Sequence, residues 1–158
     1  MAVPGLRREG AGRLTVDGAR YLLVRPETLA AAQKAVEEAL GPAAAECLAR
    51  GGRAGGARAA APLAGDADAR VRRLLAIGAE IGWGEFALER LDGDDLVVSV
   101  AGSPFAEAYG PAPGPVCHLV RGVLESLAAA VLARPRPIVE EACVAAGAAR
   151  CRFRTVPA

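Results

Sequence analysis

Aromatic residues make up only 4% of this 158-residue chain, with a single tryptophan, histidine and methionine. Few bulky rings are available, so any interior pocket must be lined mainly by aliphatic side chains. An excess of one charge is also missing: nineteen basic residues against eighteen acidic ones leave a formal +1, with the signs interspersed. Without a basic stripe, direct binding to a nucleic-acid backbone is not expected. Apolar runs are short. Ala128 to Ala133 falls far below the roughly 18 residues a bilayer span needs, and Met1 to Gly12 is polar and Arg/Gly-rich, unlike a secretory leader. The expectation is a soluble cytoplasmic protein with no membrane partner. No P-loop lysine or strand-to-helix glycine fingerprint accompanies Gly82-Trp83-Gly84, and the compact double C-x-x-C of a self-evident zinc site does not occur.

What is present is apolar and largely alanine. Hydrophobic residues reach 53%, enough for one core in a chain of ordinary domain size. The expected organisation is a flexible arm over 1–12 and a single domain over 13–158. Arg13 to Val16 and Ala19 to Val24 flank Asp17-Gly18, a two-residue hairpin signal. Pro26-Glu27-Thr28 opens a helix, proline in the first turn and glutamate against the dipole. Leu29, Ala32, Val36 and Leu40 then keep helical spacing up to Gly41-Pro42. A second helix runs from Ala43 through Arg50, with Cys47 expected in its core face. Gly51 to Gly65 reads equally as a loop or as a continued helix whose small residues admit another backbone. Asp66 or Asp68 caps a third helix carrying Val71, Leu74, Leu75, Ile77 and Ile81.

Beyond Gly82 the period becomes that of strands. Phe86 to Leu91 and Leu96 to Val100 form a hairpin about Asp92-Gly93-Asp94-Asp95. Ser103 to Ala108 is a short capped helix, and Val116 to Ala133 a long one that Pro135-Arg136-Pro137 ends. Ile138 to Ala145 and Arg150 to Val156 make a final hairpin. The order predicts an α+β fold, an antiparallel sheet with flanking helices.

The chemistry concentrates between Cys117 and Cys151. Cys117, Glu140, Cys143 and Cys151 supply three thiolates and a carboxylate, a sufficient tetrahedral shell for zinc. Glu140 and Cys143 are three apart, on opposite faces of an ideal strand, so convergence needs a bulge or bend. At the start of a helix Cys117 should have a lowered thiol pKa. The alternative reading is three buried free thiols in an alanine-rich core. Cys117 and His118 diverge by about 100° on a helix, which argues against a nucleophile–base pair. Glu107, Glu125 and Asp94-Asp95 form no acid–base constellation, so no catalytic residue is assigned. Trp83, Phe105, Tyr109 and His118 are the candidate pocket residues; Trp83 either lines a cavity or plugs the core.

Three stretches, Ser103-Pro104-Phe105-Ala106-Glu107-Ala108, Pro115-Val116-Cys117-His118-Leu119-Val120-Arg121-Gly122 and Glu140-x-x-Cys143-x-x-x-Gly147-x-x-x-Cys151-x-Phe153, resemble the 4-vinyl reductase-type domain. That small-molecule-binding module also serves as the sensory domain of phenol- and xylene-responsive activators. The resemblance extends more weakly to Leu29-Ala30-Ala31-Ala32-Gln33 and Ala39-Leu40-Gly41. It implies zinc held by Cys117, Glu140, Cys143 and Cys151, with Glu141 as the fallback oxygen ligand, a zinc-pinned C-terminal hairpin, a ligand cavity between sheet and helices, and a homodimer. The phenol sensors carry a tryptophan and a histidine around the segment matching Val98 to Tyr109, where this chain has neither; a phenol read by hydrogen bonds is not implied. The expected function is that of a stand-alone, sensor-like module for a small hydrophobic molecule, acting on a separate signalling partner. The alternative is an accessory or carrier protein for vinyl reduction on a tetrapyrrole, which would need an electron donor that no nicotinamide or flavin signature supplies.

Overall fold

The computed structural model describes residues 5–132, 134 and 136–156; the start of the expected arm, residues 1–4, and the expected helix stop at Pro135 lie outside them. The fold is α+β, with antiparallel sheets flanked by helices. The first sheet comprises strands β1 (Leu6–Glu9), β2 (Arg13–Val16) and β3 (Ala19–Tyr21) in that order. Residues Leu6–Glu9, expected within a loose arm, are therefore a strand, paired along its length with β2 from Leu6↔Val16 to Glu9↔Arg13. Asp17 and Gly18 both take positive φ, 48° and 80°, which gives the two-residue turn the twist that the β2–β3 hairpin needs.

Helix α1 (Pro26–Leu40) starts and stops where proline and Gly41 predict. Its inward face differs from the periodic one. Leu29 and Leu40 are 42% and 48% exposed, Ala30 is the buried residue, and polar contacts tie the helix down: Gln33 Nε2 donates to the Val116 carbonyl at 2.8 Å, and Tyr109 Oη to Glu37 at 2.6 Å. Helix α2 (Ala44–Ala60) resolves the glycine-rich segment as helix. It packs along α5 (His118–Val131) at backbone contact. A Cβ on Gly52 would stand 2.1 Å from the Leu119 carbonyl oxygen, and one on Gly122 2.0 Å from that of Ala49. That contact offsets the helix propensity lost at each glycine, about 1 kcal/mol. Cys47 is exposed, contrary to expectation, because the buried stripe of α2 is Ala44, Ala49, Gly52, Gly56 and Ala60.

Asp66 caps α3 (Ala67–Glu80), its Oδ1 accepting from Ala69 N at 2.9 Å. Strands β4 (Glu85–Asp92) and β5 (Asp95–Ala101), the short helix α4 (Pro104–Tyr109), and strands β6 (Ile138–Ala142) and β7 (Cys151–Thr155) complete the chain. The second sheet runs β4-β5-β7-β6, all antiparallel. The last hairpin thus docks β7 on β5, and Leu96, Val98, Val100 and Phe153 meet Val71, Leu124 and Leu127 in one buried cluster. Among the described residues no helix is long and apolar enough to cross a membrane.

Candidate metal centre and apolar cavity

Four elements converge at one corner. Cys117 is the N-cap of α5, Glu140 lies in β6, Cys143 follows that strand, and Cys151 opens β7. The ligating atoms of all four lie within 4.8 Å of one another, and all four residues are buried. The strand bulge that the spacing required is present: Glu140 pairs with Phe153 and Ala142 with Arg152, so the register slips at Glu141. Glu140 is thereby turned inward with Cys143. Glu141 is exposed and ion-paired with Arg152 and Arg154, so the fallback ligand faces away from the corner.

The donor set fits a borderline-soft cation. Cys117 Sγ and Cys151 Sγ stand 3.7 Å apart, far beyond the roughly 2.05 Å of a disulfide. A tetrahedral shell with metal–sulfur bonds of about 2.3 Å has edges of about 3.8 Å. Glu140 Oε2 accepts from Cys117 N at 2.9 Å, while its Oε1 is buried without a hydrogen-bond partner among the described residues. An orphaned buried carboxylate oxygen is costly unless a cation or donor meets it. Val144 N–H donates to Cys151 Sγ at 3.5 Å, a contact that stabilises a thiolate.

Protonation differs from the helix-dipole expectation. Cys117 is pushed above the ordinary thiol range, first by its hydrogen bond to Cys151, then by burial and by the Glu140 charge. Cys143 is pushed up to about 11, by burial first and then by Glu140. Cys151 is lowered, chiefly by accepting from Cys117. A neighbouring carboxylate and sulfur outweigh a partial dipole charge because they lie closer and are equally desolvated. Binding a cation here releases protons.

An apolar cavity of about 270 Å³ opens beside α5. Helix α5 contributes Leu119, Val120, Val123 and Leu124; α3 contributes Leu74, Leu75, Ile77 and Gly78; Trp83 and Phe86 close one side and Tyr21 another. The fourth wall is bare helix, Gly51, Gly52, Gly55 and Gly56 of α2. A groove of about 430 Å³ shares Tyr21, Ile81, Trp83 and Leu119 with this cavity and extends over Leu22, Leu23, Val24 and Phe105.

Of the candidate pocket residues, Trp83 lines both spaces and Phe105 the groove, their rings 4.9 Å apart and edge to face. Tyr109 and His118 lie in neither lining. Tyr109 is engaged with Glu37, and Lys34 stands 4.6 Å above its ring. His118 is half-buried, its pKa lowered by burial and then by Arg121. Glu125 is taken up by Arg53 at 2.6 Å and Arg121 at 2.8 Å, binding α2 to α5. The glycine wall was not anticipated as a lining; the paired glycines four residues apart were the available signal.

Residues 96–157, from β5 to the last strand and including all four corner residues, match the family model of the 4-vinyl reductase (V-4-R) domain. No curated protein matches the chain. Among solved structures, the phenol-responsive sensory domain of the transcription activator PoxR, crystallised with phenol, superposes with a TM-score of 0.84 over 97% of this chain and 85% of that one, at 20% identity. A vinyl-4-reductase family protein from Methanocaldococcus jannaschii gives 0.62 over 86% and 82%, at 14% identity. At such identities the likeness is one of fold.

Proposed function

We infer that this chain, whose residues 96–157 are a 4-vinyl reductase domain, is a sensor-like module that binds a small hydrophobic molecule and carries a structural zinc ion. The observation that carries the reading is the cavity between α2, α3 and α5, walled almost entirely by carbon, as a pocket for an apolar ligand requires. Cys117, Glu140, Cys143 and Cys151 would hold the zinc. Four protein ligands leave no open position, so the ion supplies a cross-link rather than a catalytic water. The cross-link has a use. Cys117 is two residues from Leu119, so fixing the start of α5 to β6 and β7 also fixes the helix that forms one wall of the cavity.

The same reading takes residues 13–158 as one ligand-binding domain in the cytoplasm, where reduced thiols persist. A second copy of the chain would cover the exposed Leu22, Leu23 and Leu29, which are 72%, 79% and 42% accessible, and ligand occupancy would pass through such contacts to a separate signalling partner. The tetrapyrrole alternative is less well supported. A cavity of about 150 Å³ accepts one benzene, so 270 Å³ does not enclose four linked pyrroles.

Native mass spectrometry with metal analysis, followed by melting curves with toluene, naphthalene, phenol and protoporphyrin, tests the reading. One zinc per chain and a rise in Tm with the hydrocarbons are expected. A metal-free protein stabilised only by the porphyrin would overturn it.

A further inference from the structure

The glycines of α2 fall into two sets. Gly52 and Gly56 cannot carry a side chain, because a Cβ would stand 2.1 Å from the Leu119 carbonyl oxygen or 2.9 Å from the Val123 Cα. Gly51 and Gly55 each lie one residue earlier, about 100° round the helix, and there the obstruction is gone. A Cβ on Gly55 meets no atom within 4 Å, and one on Gly51 only the Leu119 Cδ1 at 4.0 Å. Both residues line the cavity. Contact with α5 therefore accounts for Gly52 and Gly56 but not for Gly51 and Gly55, where alanine would fit and would favour the helix. What their missing side chains leave is room.

We propose that Gly51 and Gly55 are the positions that set ligand size, and that the ligand they admit is a neutral hydrocarbon of two-ring dimensions with no hydroxyl group. The proposal rests on the cavity being the ligand site. Size follows from volume: an apolar cavity of roughly 150 Å³ takes one benzene ring, and this one measures about 270 Å³. Chemistry follows from the walls. The lining side chains that carry a polar atom, Tyr21 and Trp83, also belong to the adjoining groove. Leu74, Leu75, Val120 and Leu124, opposite the glycines, offer a hydroxyl nothing to bond to, and an unpaired hydroxyl is expensive to bury.

Naphthalene, toluene and 2-naphthol are the probes, titrated against the zinc-loaded full chain by calorimetry and by thermal shift. The wild type should bind naphthalene at least tenfold more tightly than 2-naphthol. Gly55→Leu should weaken naphthalene at least tenfold while toluene changes by less than threefold. Gly55→Ala, which retains the fold even if the larger substitution does not, should weaken naphthalene severalfold and melt higher than wild type without ligand. Ala54→Leu, on the exposed side of α2, should leave all three affinities unchanged. Equal naphthalene affinity in wild type and both Gly55 variants would overturn the role of the glycines, and 2-naphthol binding as well as naphthalene would overturn the ligand class. A wild type indifferent to every probe would instead sink the cavity as a ligand site, and this proposal with it.

Discussion

The corner around Cys117 and the cavity beside Leu119 share one end of α5 and are built in opposite ways. The corner is crowded with buried polar atoms, three sulfurs and a carboxylate with an unpartnered oxygen. The cavity is apolar, and one wall of it is a helix with its side chains left off. The first kind of site dictates its occupant, because few species satisfy three thiols and a carboxylate at tetrahedral spacing. The second dictates only shape and dryness. Specificity at the corner is chemical; at the cavity it is steric, and the two should respond to mutation with different signs and sizes.

The largest effect is expected at the corner. Cys151→Ser should abolish zinc in metal analysis and lower the unfolding free energy by about 4 kcal/mol or more. Chelation should reproduce that loss in the wild type and add little in the variant. Identical urea midpoints for wild type and variant would remove the distinction between the two regions. The next largest contrast lies on α2. Gly52→Ala should destabilise by about 3 kcal/mol, since a carbonyl oxygen occupies the position of its Cβ, whereas Gly55→Ala, three residues on, should stabilise by up to about 1 kcal/mol. Denaturant titration of both reads the difference in sign.

Glu140→Gln sharpens the corner further. The amide oxygen can still accept from Cys117 N, so the fold should persist, while zinc affinity measured by chelator competition falls at least tenfold, or about 1.4 kcal/mol. The smallest effect is expected at a site remote from both regions. Asp95 accepts from Thr155 Oγ1 at 2.8 Å and pairs with Arg90 at 3.1 Å; the threonine bond first, then the Arg90 contacts, hold its pKa below the ordinary 3.8. A depressed carboxylate stabilises the fold above pH 3.8 and loses that contribution as pH falls through its folded value. With Asp95 a third exposed, the amount should stay under about 1 kcal/mol. Melting curves of the chelated protein from pH 6 downwards should show wild type and Asp95→Asn converging below pH 4, and parallel curves would contradict this.

The two regions also differ in how far the sequence revealed them. The corner was legible because cysteine is rare here and the offset between Glu140 and Cys143 demanded a bulge, which the register slip at Glu141 supplies. Helix limits were legible where proline and glycine punctuate them, as at Pro26 and Gly41. Gly51 to Ala60 was not, because its helicity depends on Gly122, a distant residue whose own Cβ would meet the Ala49 carbonyl. The inward face of α1 was misjudged for a related reason. Leu29 and Leu40 satisfy the period, yet Gln33 and Glu37 make the contacts, and periodicity does not register a helix fastened by hydrogen bonds. Tyr109 and His118 were chosen as pocket residues for their side chains; the wall that matters at α2 has none.

Strand β5 lies between β4, its immediate neighbour in the chain, and β7, whose Arg154 pairs with Val97. During synthesis the ribosome must therefore deliver almost everything up to Thr155 before the central strand acquires its second partner. Until then one edge of a valine-rich strand is open to pairing with another nascent chain, so slow elongation through the final hairpin should favour inclusion bodies, and holdase chaperones acting on that interval should relieve them.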